Sequence, residues 1–337
     1  MDLEDIDGLW EHLQEFKYKN MLTLKNLDND LPTESWDSMY HTGLYLTIAA
    51  LRLKRTRDES IVPLINETLD VIIEEGINFR GFNSDGEYWH AYMRTKYYPI
   101  WGDKEVFRDT SRDQVLALTF GLYFLTYALE EKDYSEIYQR VKKITKIASD
   151  TLLEHDYDLG TTYGNCKTYE IPLSLTYRSI NDDIDLRKAT PSKIYFRIVP
   201  ALILLTNWKR QYFSYELNIM TLFLIINAWD ANDETYSETV RNKAVKYFGK
   251  QLEKKEDHKN LFWELLYYHS TGELYKERDF SNLLREIFSK FGEKKNQDFI
   301  WQRHPKFWYQ PREEEKNFYA PYHDYLIMIE MLEDLGL

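Results

Sequence analysis

The chain has a single cysteine, Cys166, among 337 residues. One thiol cannot form an internal disulfide, so the small disulfide-stapled secreted domains are excluded and a reducing compartment suits the protein. Glycine and proline are also scarce, with 13 and 9 residues, and they do not cluster as they would in a linker between domains. We therefore expect one large domain that spans residues 1–337.

Long apolar runs and an excess of basic charge are missing as well. No apolar run reaches the roughly 18 residues that a membrane-spanning helix needs, and residues 1–5 are acidic where a secretory signal would be basic. We expect no membrane span and a cytoplasmic protein. The formal net charge is −13, whereas nucleic-acid binding depends on Lys and Arg that displace counterions from phosphates. The expected partner is therefore an oligosaccharide or another small polar ligand, not a nucleic acid.

Signatures of metal, nucleotide and nucleophile sites are absent. The chain has no His-Glu-x-x-His or Cys-x-x-Cys motif, no Gly-x-Gly-x-x-Gly or Walker-type loop, and no Gly-x-Ser-x-Gly motif. Cys166 has no neighbouring histidine in the sequence that would mark it as a nucleophile. We predict neither a metal site nor a cofactor.

Aromatic residues and helical periodicity are abundant. Aromatic side chains make up 16% of the chain, enough for a core and an aromatic-lined surface. Three long connections, 76–110, 156–190 and 291–318, are rich in Tyr, Trp, Arg and Asp, as functional loops are. No strand hairpin is predicted. Apolar residues recur at intervals of three and four in about eleven segments, which predicts helices at 6–20, 36–55, 59–75, 112–131, 134–154, 192–209, 214–229, 236–252, 258–270, 278–290 and 319–335.

An internal echo indicates a repeated architecture. Ser35-Trp-Asp37 followed by residues 43–51 returns as Ser111-Arg-Asp113 followed by residues 121–129. Each copy predicts a helix that is apolar nearly all round with a Gly/Ala seam, whereas the segments that follow are amphipathic. This alternation favours an all-α fold, an (α/α)6-type toroid of about six helical hairpins. A solenoid of helix pairs would alternate in the same way but with a more regular repeat.

Two aspartates are the candidate catalytic residues. In a toroid the inner helices begin at one mouth, and Asp37 and Asp113 each lie two residues after a candidate N-cap serine, so both would be presented there. Glycoside cleavage requires at least two carboxyl groups, which lie in different environments. A helix N-terminus lowers a carboxyl pKa, so the acid of the pair needs burial. The structural alternative is that Ser111 and Gln114 form a capping box and Asp113 only faces the helix dipole.

The candidate substrate-binding residues combine aromatic faces with hydrogen-bond donors, as sugar sites do. Each candidate could instead have a structural role. The aromatic side chains could stabilise their own loop, and Arg303 could bind the C-terminal helix. The candidates are Arg80, Trp89, His90 and Trp101 in the first long connection, His41, Arg112 and Gln114 beside the aspartates, and Trp301, Gln302 and Arg303 in the third long connection.

Three stretches carry a resemblance to a known group of proteins. They are Asp37-Ser-Met-Tyr-His-Thr-Gly-Leu-Tyr-Leu, Asp109-Thr-Ser-Arg-Asp-Gln114 and Phe299-Ile-Trp-Gln-Arg-His-Pro305. In these the chain resembles a largely uncharacterised microbial branch of the six-hairpin glycosidase-like superfamily. The resemblance implies an α/α toroid with acidic catalytic residues at the inner-helix mouth, which would be Asp113 and Asp37. A Trp-x-Asp-type arrangement like that of the glucuronyl hydrolases is not found at a matching interval, so the resemblance does not extend to their substrate.

The predicted function is that of a carbohydrate-active enzyme, a glycoside hydrolase that uses this carboxylate pair. Two alternatives stay open. One is a non-catalytic glycan-binding or assembly scaffold protein, in which the mouth only binds. The other is an isoprenoid cyclase-like enzyme, which the aromatic content suits but which lacks an Asp-rich metal motif.

Overall fold

The fold is mainly helical. Of the described residues 76% are helical and the strands are short, so the predicted all-α class is confirmed. The computed structural model describes residues 6–23, 25–26, 38–77, 79–82, 86–90, 112–157, 166, 170–181, 183–184, 212–228, 237–254, 261–277, 279–291, 318–319 and 323–337.

The chain divides into two compact units, the first being Phe16–Thr190 and the second Met1–Glu15 with Pro191–Leu337. The prediction of one domain over residues 1–337 stays a prediction. The first unit contains β1 (Lys17–Tyr18), β2 (Met21–Leu22), β3 (Lys25–Asn26), α2 (Ser38–Thr56), α3 (Ile61–Glu75), β4 (Phe79–Phe82), β5 (Tyr88–His90), α4 (Arg112–Ala128), α5 (Ser135–Glu154) and α6 (Glu170–Ile180). The second unit contains α1 (Ile6–Gln14), α7 (Tyr212–Asn227), α8 (Ser237–Lys254), α9 (Leu261–Thr271), α10 (Phe280–Phe291), β6 (Phe318–Tyr319) and α11 (His323–Leu335).

Helices α2 and α4, the two copies of the internal echo, pack on each other through glycine. A Cβ at Gly43 would overlap the backbone carbonyl of Ala117 and would lie 2.7 Å from the amide nitrogen of Leu118. A Cβ at Gly121 would overlap the carbonyl of Gly43 and lie 3.1 Å from the Cβ of Leu46. Because a helical residue larger than glycine would clash here, the predicted Gly/Ala seam is the surface that brings the two backbones together.

Both helices are buried on nearly all sides, which places hydroxyl groups in the core. These groups bond to their own helix. The Thr47 hydroxyl donates to the carbonyl of Gly43 at 3.3 Å and the Thr119 hydroxyl to that of Val115 at 2.7 Å. Such bonds to the carbonyl four residues earlier satisfy the hydrogen of a buried hydroxyl within its own helix.

Contacts along α2 and α4 advance in the same direction, so the two helices run parallel. Near their starts, Gly43 lies against Ala117 and Leu118. Near their ends, the Lys54 ammonium lies 4.5 Å from the centroid of the Tyr127 ring.

Helices α3 and α5 form an outer pair that packs along one apolar face each. Arg140 makes a bidentate ion pair with Asp70, with Nε–Oδ1 and Nη2–Oδ2 distances of 2.8 and 3.2 Å. The Tyr134 hydroxyl donates to Glu59 at 3.2 Å. The predicted alternation of buried and half-exposed helices is therefore confirmed for α2 to α5.

Helix α6 lies in a stretch that was predicted to be a long connection, and that prediction is wrong for Glu170–Ile180. The helix packs on α4 and α5, and the Asn181 side chain after it donates to the carbonyl of Lys142 at 3.1 Å. Pro172 stands in its first turn, where the missing N–H costs nothing.

Two strand hairpins accompany α2, so the prediction of no hairpin is also wrong. Strands β1 and β2 pair antiparallel around Lys19 and Asn20, whose φ angles of 47° and 64° are those of a tight two-residue hairpin turn. Strands β4 and β5 pair antiparallel with a register shift at Arg80. The hairpins touch where the Tyr18 hydroxyl donates to the carbonyl of Gly86 at 3.3 Å.

In the second unit α9 occupies the centre and packs on α7, α8, α10 and α11, while α1 packs on α11. The Asn227 side chain donates to the Ser270 hydroxyl at 2.8 Å, which joins the C-terminal ends of α7 and α9. The predicted helical segments correspond to helices with two exceptions. The first segment, 6–20, is helical only over Ile6–Gln14 and is followed by β1, so its second part was predicted wrongly, and 192–209 lies outside the described residues. Among the described helices, none has the length and apolar character needed to cross a bilayer.

Gly43→Ala tests the glycine contact. The new methyl group would displace the Ala117 backbone, so we expect the free energy of unfolding to fall by about 2–3 kcal/mol despite the better helix propensity of alanine. Gly249→Ala is the matched control, because a Cβ there would lie 3.9 Å from the Tyr267 ring, an ordinary contact. Urea unfolding followed by circular dichroism measures both variants. Equal stability of the two would contradict the account of the helix pair.

Candidate functional site

Short and long connections lie at opposite ends of the first unit. The α2–α3 and α4–α5 connections, 57–60 and 129–134, are short, whereas the α3–α4 and α5–α6 connections, 76–111 and 155–169, are long. Short connections join antiparallel neighbours, and α2 and α4 are parallel. The long connections therefore leave from and return to the end where α2, α4 and α6 begin, which we call the loop end. Long connections on a rigid helical base are typical of a functional surface.

Polar side chains are buried where α2 and α4 begin. Ser38, Thr42 and Gln114 have no exposed surface, and His41 is 4% exposed. The Thr42 hydroxyl accepts a hydrogen bond from the amide of Leu22 at 3.1 Å, which fastens the β1–β2 hairpin to this end of α2. Buried polar groups need partners, so the loop end combines several groups that can form hydrogen bonds.

Asp113 and Arg112 stand in the first turn of α4, and both are half-buried. The first-turn amide groups of a helix favour a carboxylate nearby. Asp113 is thus held at the loop end with part of its side chain open to solvent, as a group that acts on a ligand must be.

The structure brings several of the predicted site residues to the loop end. These are His41, Arg112, Asp113 and Gln114 on the helices and His90 on β5. For Arg80 and Trp89 the structure describes the backbone, which lies in the β4–β5 hairpin. The remaining predicted residues lie outside the described part of the chain: Asp37, Trp101, Trp301, Gln302 and Arg303.

His90 is fixed by an acidic partner that the sequence did not indicate. Its Nε2 lies 2.7 Å from Oε2 of Glu75, the last residue of α3, and both side chains are half-buried. Its ring also meets Phe79 edge-on, with centroids 6.1 Å apart. A carboxylate bonded to one ring nitrogen orients the imidazole, so the β4–β5 hairpin presents His90 in a defined position at the loop end.

Lys17 on β1 was not predicted as a site residue. Its Nζ donates to the Tyr45 hydroxyl at 3.4 Å and lies 4.9 Å from the centroid of that ring. Burial lowers the pKa of Lys17 to about 8, against a smaller opposing effect of the Glu67 carboxylate. The segment was predicted to belong to the first helix, and in the turn only Asn20 is of a residue type that favours the positive φ found there.

A second polar cluster joins α4, α6 and the chain after α5. The Thr119 and Tyr177 hydroxyls are 2.8 Å apart, and those of Tyr157 and Ser174 are 2.7 Å apart. Burial raises the pKa of Tyr157 to about 12 and that of Tyr177 further. Cys166 is fully buried beside these tyrosines. Neutral, mutually bonded hydroxyls in the core indicate a structural role.

In the described ranges no three His, Cys, Asp or Glu side chains come together as ligands for a metal ion. Comparisons with protein family models, with curated proteins and with solved structures gave no match. Because there is no similar protein from which a function could be transferred, we argue the function from the geometry of the loop end.

Lys17→Met tests the burial of the ammonium. The folded chain loses the Lys17 proton near pH 8 and the unfolded chain near 10.5, so wild-type stability rises with pH between these values. Below pH 8 the variant avoids burying a charge, and we expect it to be about 1–2 kcal/mol more stable, a figure reduced for the partial exposure of the side chain. The difference in the free energy of unfolding between the variant and the wild type should disappear by pH 10.5.

Lys19→Met is the control, since Lys19 is exposed on the same hairpin. Urea unfolding between pH 6 and 10.5 measures both variants against the wild type. A Lys17→Met protein that is less stable than the wild type at pH 7 would show that the ammonium stabilises the fold.

Proposed function

We propose that the protein is a carbohydrate-active enzyme, a glycoside hydrolase whose acid–base pair is Asp113 and Asp37. The observation that carries the proposal is the arrangement of α2 and α4, which run parallel, touch through Gly43 and Gly121, and begin at the same end. Asp113 is the second residue of α4, and Asp37 directly precedes the first residue of α2 in the sequence.

The separation of the two helix starts suits a carboxylate pair. Packed helices usually have axes about 8–10 Å apart, and contact through glycine brings them closer. Side chains at neighbouring helix starts then fall in the range of roughly 5–10 Å in which glycosidases hold their two carboxyl groups. The lower part of that range corresponds to a retaining enzyme, and the upper part leaves room for the water of an inverting one.

The two carboxyl groups would have different roles in the reaction. The protonated one gives its proton to the glycosidic oxygen, while the other attacks the anomeric carbon or takes a proton from the water that does. Repulsion between two neighbouring carboxylates favours the state in which one of them keeps a proton.

The other predicted residues would bind the sugar. His41 and Gln114, buried beside the helix starts, offer hydrogen bonds at the base of the site, and Arg112 and His90 offer them at its rim. Aromatic faces suit the apolar sides of sugar rings. The remaining groups proposed to line the site are Arg80, Trp89, Trp101, Trp301, Gln302 and Arg303.

We further infer that the α2–α3 and α4–α5 hairpins belong to an (α/α)6-type toroid in which α6 is the inner helix of a third hairpin. The support is threefold: the inner helices are buried on nearly all sides, the outer helices are amphipathic, and the long connections share one end. In a toroid that end is the mouth of the central site.

Asp113→Asn tests the catalytic assignment. With an oligosaccharide that the wild type cleaves, we expect turnover to fall by at least about 10²-fold, because an amide cannot transfer the proton. Binding should change by less than about threefold, because the amide keeps the size and most of the hydrogen bonds. Release of reducing ends measures turnover and calorimetry measures binding. Asp37→Asn should behave in the same way.

Asp133→Asn is the matched control, since Asp133 is exposed in the short α4–α5 connection at the opposite end. It should leave turnover unchanged. Full activity of Asp113→Asn would refute the assignment, and a wild type that binds oligosaccharides but cleaves none would favour the glycan-binding scaffold.

A further inference from the structure

The two strands of the β4–β5 hairpin are held in different ways. Phe79 and Phe82 on β4 are fully buried, and β4 packs on α2, whereas the side chains of Tyr88 and His90 on β5 are half-buried. A two-stranded hairpin is only marginally stable by itself in water, and this one has a register shift between its strands. The position of β5 therefore depends on contacts beyond the strand pairing.

The ion pair of Glu75 and His90 is such a contact. Nε2 of His90 lies 2.7 Å from Oε2 of Glu75, and the two side chains are 18% and 19% exposed. A carboxylate only accepts hydrogen bonds, so Nε2 carries the hydrogen and donates it. A charged acceptor makes such a bond stronger than one between neutral groups. Because both side chains are largely buried, water and salt weaken the bond less than they weaken an exposed pair.

This ion pair joins the two ends of one chain segment. Glu75 is the last residue of α3, and His90 is the last residue of β5. The pair thus closes the segment 76–89 at its base, while the Tyr18 hydroxyl donates to the carbonyl of Gly86 within that segment. Because α3 packs along α5, the bond ties β5 to the helical part of the first unit.

We propose that Glu75 is a positioning residue of the sugar-binding site, which acts through His90 and holds β5 in place at the loop end. The inference rests on the proposed function, because β5 carries two of the residues proposed to bind the sugar, Trp89 and His90. Side chains that are already held in position lose less conformational entropy when a ligand binds than mobile ones do. In this role Glu75 strengthens sugar binding without a contact of its own to the sugar.

Hydrogen exchange of the ligand-free protein tests whether Glu75 holds β5. In Glu75→Ala the amides of β5 should exchange at least about tenfold faster than in the wild type, because the bond to α3 is lost. The amides of α2 and α4 should keep their wild-type rates. Glu74→Ala is the matched control, since Glu74 is exposed on the same helix, and it should leave β5 protected. Unchanged exchange of β5 in Glu75→Ala, or faster exchange throughout the first unit, would overturn the proposal.

Steady-state kinetics tests the link to the sugar separately. With an oligosaccharide that the wild type cleaves, Glu75→Ala should raise KM at least about fivefold and change kcat by less than about twofold, because it impairs binding and not proton transfer. In a His90→Ala protein the same substitution should have no further effect, since Glu75 acts through His90. An unchanged KM, or the same increase in the His90→Ala protein, would contradict the role. A wild type that binds no oligosaccharide would refute the proposed function and with it the role in sugar binding, while hydrogen exchange would still show whether Glu75 holds β5.

Discussion

The contact between Gly43 and Gly121 is the constraint on which the first unit depends. Two helices can approach until their backbones touch only where neither has a side chain in the way. At this crossing a Cβ on Gly43 would overlap the Ala117 carbonyl, and one on Gly121 would overlap the Gly43 carbonyl. Both α2 and α4 are buried on nearly all sides, whereas α3 and α5 each keep one face exposed to solvent. The buried Thr47 and Thr119 hydroxyls donate to carbonyl groups of their own helices.

The candidate site follows from the same contact. Because the two helices run parallel, their starts are neighbours, and the helices that bound the long connections end or begin at the same end of the unit. Polar groups that would be costly in the middle of a buried helix are placed in the first turns, as His41 and Gln114 are. The two strand hairpins cover this end and add His90, held by Glu75, and Lys17, held by Tyr45. The opposite end carries the short α2–α3 and α4–α5 connections, 57–60 and 129–134.

Much of this could be predicted from apolar periodicity and from the internal echo. They indicated α2 to α5, the alternation of buried and exposed faces, and the glycine seam. Apolar periodicity did not indicate the elements that are short: the strands have too few residues for alternation to show, and α6 has only 11 residues. The pairing of Glu75 with His90 and the burial of Lys17 against Tyr45 arise from tertiary contacts, which no local pattern records. That Asp37 and Asp113 are neighbours stays a prediction from the internal echo, because Asp37 lies outside the described residues.

The central claim is that Asp37 and Asp113 face one sugar-binding site at the loop end. A crystal structure of the protein soaked with a mixture of mono- and oligosaccharides tests it most directly. The account predicts sugar density between the two carboxyl groups, which should lie roughly 5–10 Å apart. Carboxyl groups held far apart in local capping contacts, with the loop end sealed or empty of ligand, would contradict it.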